Sequence, residues 1–276
     1  MTDDRLPKYK LDLAGIGILF MGGLVPNIGL ALLFFVPGGK DFLTSPIGMV
    51  VSNLIMWLTI ILAFDFLICK NQTGRRLKFD FSSVSLKSYL IIFPMMLGMM
   101  LIGDVIAGLI PTEGEILGAL YKSFDEMMRR MQSSFSAMFI AAVIMAPLFE
   151  EMVFRGIIQK GLINGNMNPQ AAIWISALLF GIVHANPWQF VGGVLLGYVL
   201  GVVYHRTGSL LLPILLHAFN NLSSILLVKL TDEESFSKIL GVSPLVLFAA
   251  GVSIFGIFYY LFKKLSFKNG AFSSHT

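Results

Sequence analysis

A cluster of ionisable residues lies inside a long apolar segment of the chain. Residues 146–155 read Ala-Pro-Leu-Phe-Glu-Glu-Met-Val-Phe-Arg. On a helix, Glu151 and Arg155 are four residues apart and share a face, so they can form an ion pair. Glu150 points about 100° away from that face, where its carboxylate is available as a general base. The alternative, a merely structural Glu-Glu-Arg cluster, is equally compatible with these three residues alone.

Two other apolar segments carry histidines. His184 ends the run Phe-Gly-Ile-Val-His, and His217 lies four residues before Asn221, so the last two project from one helix face. At about 1.5 Å of helix rise per residue, Glu150, His184 and His217 lie roughly 21, 22 and 13 Å from the cytoplasmic ends of their segments. Asn221 lies one turn beyond His217. We therefore predict that Glu150, His184, His217 and Asn221 face one cavity.

This set of side chains fits peptide hydrolysis. Glu150 could take a proton from water while His and Asn donors hold the oxyanion that develops on the scissile carbonyl. No His-Glu-x-x-His run is present, so the usual single-helix zinc site is absent. A divalent metal such as zinc could still bind Glu150, His184 and His217, a set that would keep an open position. The residues leave both mechanisms open, and we slightly favour the metal-free one.

Serine and cysteine catalysis are less attractive. Cys69 is the only cysteine, and it follows an apolar run in which a small buried hydrophobe is the simpler interpretation. No serine stands in a Gly-x-Ser-x-Gly context, which is the usual signal of a nucleophile elbow.

The elements that must position these residues are membrane helices. The chain has 276 residues, of which 56% are hydrophobic and 13% are charged, about half the charged fraction of a soluble domain. Apolar runs of about 20 residues can cross a hydrocarbon layer roughly 30 Å thick. We predict an all-α polytopic membrane protein, a single membrane domain over residues 1–276 with its motif-bearing core at 135–225. About eight transmembrane helices are expected at 13–36, 46–69, 87–110, 135–163, 169–186, 188–205, 208–230 and 243–262.

Some segments predict packing rather than chemistry. Residues 111–134 mix charged and apolar side chains in a pattern typical of an amphipathic helix on the membrane or over the bundle. Gly193, Gly197 and Gly201 recur every four residues, which favours close helix packing. The methionines at positions 95, 96, 99 and 100 favour core filling. Pro26 and Pro147 lie inside predicted spans, and each removes a backbone donor.

The distribution of charged residues predicts the orientation of the chain in the membrane rather than nucleic-acid binding. The net charge of +4 comes from short loops, without the basic stripe and interleaved aromatics of a nucleic-acid surface. Lys and Arg concentrate in loops on one side of the predicted bundle, at positions 5, 8, 10, 70, 75, 76, 78, 87, 160, 206, 263, 264 and 268. The positive-inside rule then places both termini in the cytoplasm. Short spans and compact loops favour a prokaryotic cytoplasmic membrane.

Three ordered motifs resemble those of the CPBP family. They are Glu150-Glu151-x-x-x-Arg155, Phe180-x-x-x-His184 and His217-x-x-x-Asn221, and the resemblance covers roughly residues 135–225. That family comprises type II CAAX prenyl endopeptidases and bacteriocin-processing or immunity proteins, also called Abi. The resemblance implies an eight-helix intramembrane protease, often labelled a metalloprotease. Glu150 would be the essential base, His184, His217 and Asn221 its catalytic partners, and Glu151 and Arg155 supporting residues.

The implied substrate is a membrane-associated peptide or protein, either lipidated or a leader sequence. Two other functions remain open on the residues. A non-proteolytic membrane binding or immunity protein would use the polar residues for packing or ligand binding. A proton-coupled transporter would use Glu150 and Glu151 as a relay, although no internal repeat of the kind common in transporters is visible.

Overall fold

The computed structural model describes residues 7–231 and 235–267. Arg5 and Lys268, which contribute to the predicted orientation, lie outside the described residues. The helices are α1 (Leu13–Phe35), α2 (Gly39–Thr44), α3 (Pro46–Thr73), α4 (Leu86–Ala107), α5 (Glu115–Gln132), α6 (Phe135–Asn164), α7 (Pro169–Ile182), α8 (Pro187–Thr207), α9 (Leu211–Thr231), α10 (Phe236–Leu240) and α11 (Pro244–Lys263). The described ranges contain helices, turns and loops and no β-strand, which confirms the all-α membrane fold.

Seven helices of the described chain are long and apolar enough to cross a membrane: α1, α3, α4, α6, α8, α9 and α11. The fifth predicted span, 169–186, is shorter than expected, because α7 ends at Ile182 after 14 residues. Ala185 adopts a left-handed conformation with φ 55°, which a helix cannot contain. The Asn186 side chain then caps the N-terminus of α8 by accepting a hydrogen bond from Gln189 N. Pro187 lies in the first turn of α8, where a proline is well tolerated.

The chain forms two compact units. The first contains Met1–Phe79 with Met128–Ala172, and the second contains Asp80–Met127 with Ile173–Thr276. The prediction of a single membrane domain stays a prediction.

In the first unit, α1 and α3 pack closely where a Cβ on Gly22 would lie 2.9 Å from the Cα of Ile60. Near its end, helix α3 contains a wide π-helical turn, Asp65–Cys69, and the loop that follows the helix folds back onto this turn. Asp65 is buried; it accepts a hydrogen bond from Leu77 N at 2.7 Å and forms an ion pair with Arg76. The Arg76 guanidinium also lies over the Phe66 ring at 3.9 Å. Asp65 therefore holds this loop against the end of α3.

Helix α6 of the same unit contains two wide turns, Ile140–Met145 and Met152–Gln159, with the regular segment Ala146–Glu151 between them. Pro147 follows the first wide turn and cannot supply the N–H that a regular helix needs there, which gives a local reason for the widening. Wide turns of this kind are frequent at functional sites. The segment between the two turns carries the predicted Glu150 and Glu151.

In the second unit, α4 and α11 cross at two glycines. A Cβ on Gly98 would lie 2.5 Å from Phe255 N, and one on Gly251 would lie 3.0 Å from the Gly98 oxygen. The methionines of α4 belong to the buried core of this unit together with residues of α8, α9 and α11, as predicted. Asp104, near the end of α4, accepts hydrogen bonds from Ser235 Oγ and Phe236 N at 3.2 and 3.4 Å. Asp104 thus ties down the start of α10.

The predicted amphipathic helix of residues 111–134 is α5, and none of its residues is buried. Its Tyr121 ring meets the Trp188 ring edge-on at 5.1 Å, and Trp188 Nε1 donates to Ile110 O at 3.3 Å. The Gly193 prediction is confirmed as well, because a Cβ there would lie 3.0 Å from Gly181 Cα on the neighbouring α7.

Candidate active site

Helix α6 holds the first of the three motifs. Arg155 Nη1 donates to Glu151 Oε1 at 2.9 Å, and both side chains are 0% exposed. The predicted ion pair is therefore present and lies in the interior of the protein. Replacing either partner of such a buried pair would leave an uncompensated charge in the interior and destabilise the protein. Glu150 precedes the pair and is partly exposed, so the adjacent carboxylates have different surroundings.

Gln159 extends the row of polar side chains beyond the motif. It is fully buried and lies four residues after Arg155, within the same wide turn, Met152–Gln159. Gln159 was not among the site residues predicted from the sequence. The sequence spacing could have predicted it, because positions 151, 155 and 159 carry a polar side chain every four residues in an otherwise apolar run.

The second motif ends in the turn after α7 rather than within a helix. His184 is partly buried in this turn, and its Nδ1 lies 2.8 Å from the Phe180 carbonyl oxygen. A carbonyl oxygen can only accept a hydrogen bond, so Nδ1 carries the proton and donates. In the neutral form of the imidazole, the other ring nitrogen, Nε2, carries the lone pair.

The third motif lies on α9, where His217 is buried with 6% exposure and Asn221 is partly buried one turn later. The Phe180 ring meets the His184 ring at 5.2 Å and the His217 ring at 5.4 Å, edge-on in both cases. One aromatic ring therefore contacts both predicted histidines. Phe180 belongs to the motif quoted from the sequence, but this role was not predicted, since only the tertiary structure sets a ring between two helices.

Asn220 is a further polar residue of this region. Its Nδ2 donates to Asn221 Oδ1 at 3.0 Å. This bond fixes which end of the Asn221 side chain faces Asn220: the oxygen accepts, and the amide nitrogen is the end that can donate.

The turn that carries His184 is stabilised by Asn186. Asn186 Nδ2 donates to the His184 carbonyl at 3.1 Å and to Gln189 Oε1 at 2.6 Å. The His184 ring also lies near α8, since a Cβ added to Gly193 would lie 3.7 Å from His184 Nδ1. The sequence predicted a tight reversal of the chain at residues 185–187. The hydrogen bonds show, in addition, that this reversal positions His184.

The structure thus brings together Glu151 with Arg155 in the first unit, and His184 with His217 around Phe180 in the second. The prediction that Glu150, His184, His217 and Asn221 face one cavity joins groups of both units, and it stays a prediction. The same holds for a metal bound by Glu150, His184 and His217. Over residues 7–231 and 235–267, no group of three His, Cys, Asp or Glu side chains forms a metal-binding cluster. The His184 ring nevertheless has the geometry of a typical metal-binding histidine, with one nitrogen held by a carbonyl.

Comparison with known proteins shows which family this region resembles. Residues 132–223 match the family model described as "Type II CAAX prenyl endopeptidase Rce1-like". The predicted family resemblance is confirmed. The matched segment, residues 132–223, includes all three motifs.

One curated relative supports the same assignment. Over 84 residues the chain is 34% identical to a Bacillus subtilis (strain 168) protein named "Putative membrane peptidase YdiL". The match covers 30% of this chain and 34% of the relative, so the chain spans about a third of the length of that protein. No solved structure matches the chain significantly.

Proposed function

We propose that this protein is an intramembrane endopeptidase that hydrolyses a peptide bond of a membrane-associated peptide. The observation that carries the proposal is the contact of one ring, Phe180, with both His184 and His217, inside a segment that matches the CAAX prenyl endopeptidases. A peptidase needs a base for water and donors for the developing oxyanion. The three motifs supply these groups.

Glu150 is the general base in this proposal. Its neighbour Glu151 is already committed to Arg155 at 2.9 Å and is fully buried, so Glu151 supports the helix rather than reaching substrate. Glu150 is partly exposed and follows Pro147 in the regular segment between two wide turns of α6. A carboxylate in such a position can accept a proton from water and later return it to the leaving amine.

His184 acts on the water rather than on the oxyanion. Because its Nδ1–H is engaged by the Phe180 carbonyl, the neutral ring offers a lone pair at Nε2 and no second donor. It can therefore accept a hydrogen bond from the water that Glu150 deprotonates.

The oxyanion is held by His217 and Asn221. Asn221 presents its amide nitrogen because Asn220 occupies its carbonyl end. His217 is packed edge-on against Phe180 in a buried position, where a hydrogen bond to a developing charge is stronger than in water. Each such donor typically contributes about 10²–10³ in turnover.

A divalent metal is the alternative activator of the water. It would be held by Glu150, His184 and His217, and when bound it would act as a Lewis acid that lowers the pKa of its water. If the metal-free version holds, activity survives extensive chelation. If the metal version holds, chelation abolishes activity, added zinc restores it, and metal content falls in His184→Ala but not in Asn221→Ala.

The proposed location is a prokaryotic cytoplasmic membrane with both termini in the cytoplasm. Hydrogen bonds within each unit support the shared cytoplasmic side, because each bond joins two segments that the charge pattern places on that side of the membrane. Leu11 N donates to Gly161 O at 3.1 Å in the first unit, and Leu210 N donates to Asp80 O at 2.7 Å in the second. The substrate would then be a lipidated or leader-type peptide that reaches the site from the membrane.

The experiment that tests the function uses purified protein in liposomes with a library of apolar and lipidated peptides. Mass spectrometry of the products should reveal new termini at defined bonds in the wild-type reaction and none with Glu150→Gln. Binding of peptides without any cleavage would support a non-proteolytic binding protein instead. A proton or peptide flux across the liposomes without cleavage would support a transporter.

A further inference from the structure

The segment before α1 is fastened to the helix that carries Glu150. We call residues 8–12 the N-terminal strap. Leu11 N donates to Gly161 O at 3.1 Å, and Asn164 Nδ2 donates to Tyr9 O at 2.9 Å. Gly161 and Asn164 form the end of α6, so the strap lies along the last turns of the motif helix, within the first unit.

The fit between the strap and α6 depends on a glycine. A Cβ added to Gly161 would lie 2.9 Å from Leu11 Cβ and 3.2 Å from Tyr9 Cε2, closer than side chains normally approach. The strap is also tied to α3, because Lys10 N donates to Gln72 Oε1 at 2.8 Å and Gln72 Nε2 donates to Asp12 Oδ2 at 3.1 Å. Contacts to two helices over five residues give the strap a defined position.

Tyr9 is the buried residue of the strap, with 6% exposure. Its ring packs edge-on against Phe64 of α3 at 5.6 Å, and its hydroxyl donates to the carbonyl oxygen of Gly156. A buried tyrosine hydroxyl generally needs such a partner. Gly156 directly follows Arg155, in the middle of the wide turn Met152–Gln159.

The hydrogen bond from Tyr9 to Gly156 lies where it can affect the geometry of α6. A wide π-helical turn is a rare local departure from the regular α-helix, and a buried hydrogen bond from outside the helix stabilises it. The Gly156 carbonyl lies one peptide away from the Arg155 backbone, and Arg155 holds Glu151, the neighbour of Glu150. Tyr9 is thus linked to the catalytic carboxylate by consecutive contacts inside one unit.

We propose that Tyr9 is a positioning residue, whose hydroxyl holds the wide turn of α6 in the geometry that orients Arg155, Glu151 and, through them, Glu150. The inference rests on the proposed peptidase function for its effect on turnover. Its effect on the helix itself is independent of that function. The strap is therefore part of the active-site support rather than a passive leader to α1.

The variant that isolates this role is Tyr9→Phe, which keeps the ring against Phe64 and removes only the hydroxyl. Loss of one buried hydrogen bond should raise amide hydrogen exchange in residues 152–159 by about five- to tenfold. A misplaced base lowers turnover, so kcat should fall by about tenfold or more while KM changes little. The matched control is Lys10→Gln, which changes an exposed side chain of the same strap and should keep wild-type exchange and turnover.

A double-mutant cycle separates positioning from general stability. In an Arg155→Ala background, Tyr9→Phe should lower kcat no further, because the link to Glu150 is already broken. Unchanged exchange in residues 152–159, or faster exchange with unchanged kcat, would overturn the inference. An additive effect in the cycle, with melting temperature falling in step, would also overturn it and leave Tyr9 a packing residue. If wild-type protein cleaves no peptide, faster exchange in Tyr9→Phe together with slow exchange in Lys10→Gln still establishes the support of the turn while the proposed function fails.

Discussion

At the scale of single residues, the Glu151–Arg155 pair should contribute to the stability of the protein. Both side chains are fully buried at 2.9 Å. Removal of Arg155 leaves an uncompensated charge in the interior, which typically costs roughly 3–5 kcal/mol. Arg155→Ala should therefore lower both the melting temperature of the detergent-purified protein and its activity.

The control for this variant is Lys122→Ala, which removes an exposed cation of α5 and should leave the melting temperature within error of wild type. Thermal denaturation followed by circular dichroism makes the comparison. Loss of activity in Arg155→Ala at a wild-type melting temperature would contradict the supporting role and make Arg155 directly catalytic.

Asn220 provides a second test at this scale, because its side chain orients the proposed oxyanion donor. In Asn220→Asp the new carboxylate can only accept hydrogen bonds, so the Asn221 amide should turn toward it and away from the substrate. We expect kcat to fall by about 10²-fold, as for loss of an oxyanion donor, with little change in KM. Steady-state kinetics of Asn220→Asp in wild-type and Asn221→Ala backgrounds measures this. An equal fall in both backgrounds would show that Asn220 acts by another route.

At the residue scale, contacts within one helix could be predicted from the sequence, whereas contacts between elements could not. A spacing of four residues on one helix was enough to predict the Glu151–Arg155 pair, since that contact is local. The edge-on contacts of Phe180 with His184 and His217 and the bond from Tyr9 to Gly156 join residues from different elements. No local pattern encodes such contacts.

At the scale of elements, α7 and α8 pack so closely that a single methyl group should matter. A Cβ on Gly193 would lie 3.0 Å from Gly181 Cα, whereas one on the adjacent Gly192 would meet nothing within 4 Å. Gly193→Ala should therefore push α7 away, displace His184 and lower turnover, with a destabilisation of about 1–3 kcal/mol from overpacking.

Gly192→Ala is the matched control, because it adds the same methyl group to the same helix in open space. It should be neutral or stabilising by up to about 1 kcal/mol, as alanine favours helix over glycine. Thermal denaturation and turnover of the two variants distinguish the cases. Equal behaviour of Gly192→Ala and Gly193→Ala would contradict the close packing at Gly193.

The element boundaries were predictable where hydropathy sets them. Predicted spans such as 13–36 and 135–163 match Leu13–Phe35 and Phe135–Asn164, because long apolar runs end where charged or turn residues begin. The fifth span was overestimated because the left-handed Ala185 stops α7 without any loss of hydropathy. The wide turns of α6 were not predicted either, since only Pro147 offers a local reason for one of them.

At the scale of the whole molecule, the proposed orientation in the membrane rests on the placement of Lys and Arg. Reporter fusions after Lys268 and within residues 70–87 should both report the cytoplasm, and a fusion near Thr112 should report the opposite side, because positive loops are retained inside. Paired reporters that are active on opposite sides of the membrane make this measurement. Two of the three fusions on the wrong side would contradict the proposed topology.

The central claim is that Glu150 activates water for peptide hydrolysis, and the comparison of wild-type protein with Glu150→Gln tests it most directly. Both proteins, together with the exposed-carboxylate control Glu126→Gln, should be purified, shown to have equal melting temperatures and assayed on the same cleavable peptide. A general base typically contributes about 10²–10⁴ in rate, so Glu150→Gln should lose at least a hundredfold in turnover while Glu126→Gln keeps wild-type activity. Turnover of a folded Glu150→Gln protein within about threefold of wild type, far less than the loss of a base produces, would contradict the claim.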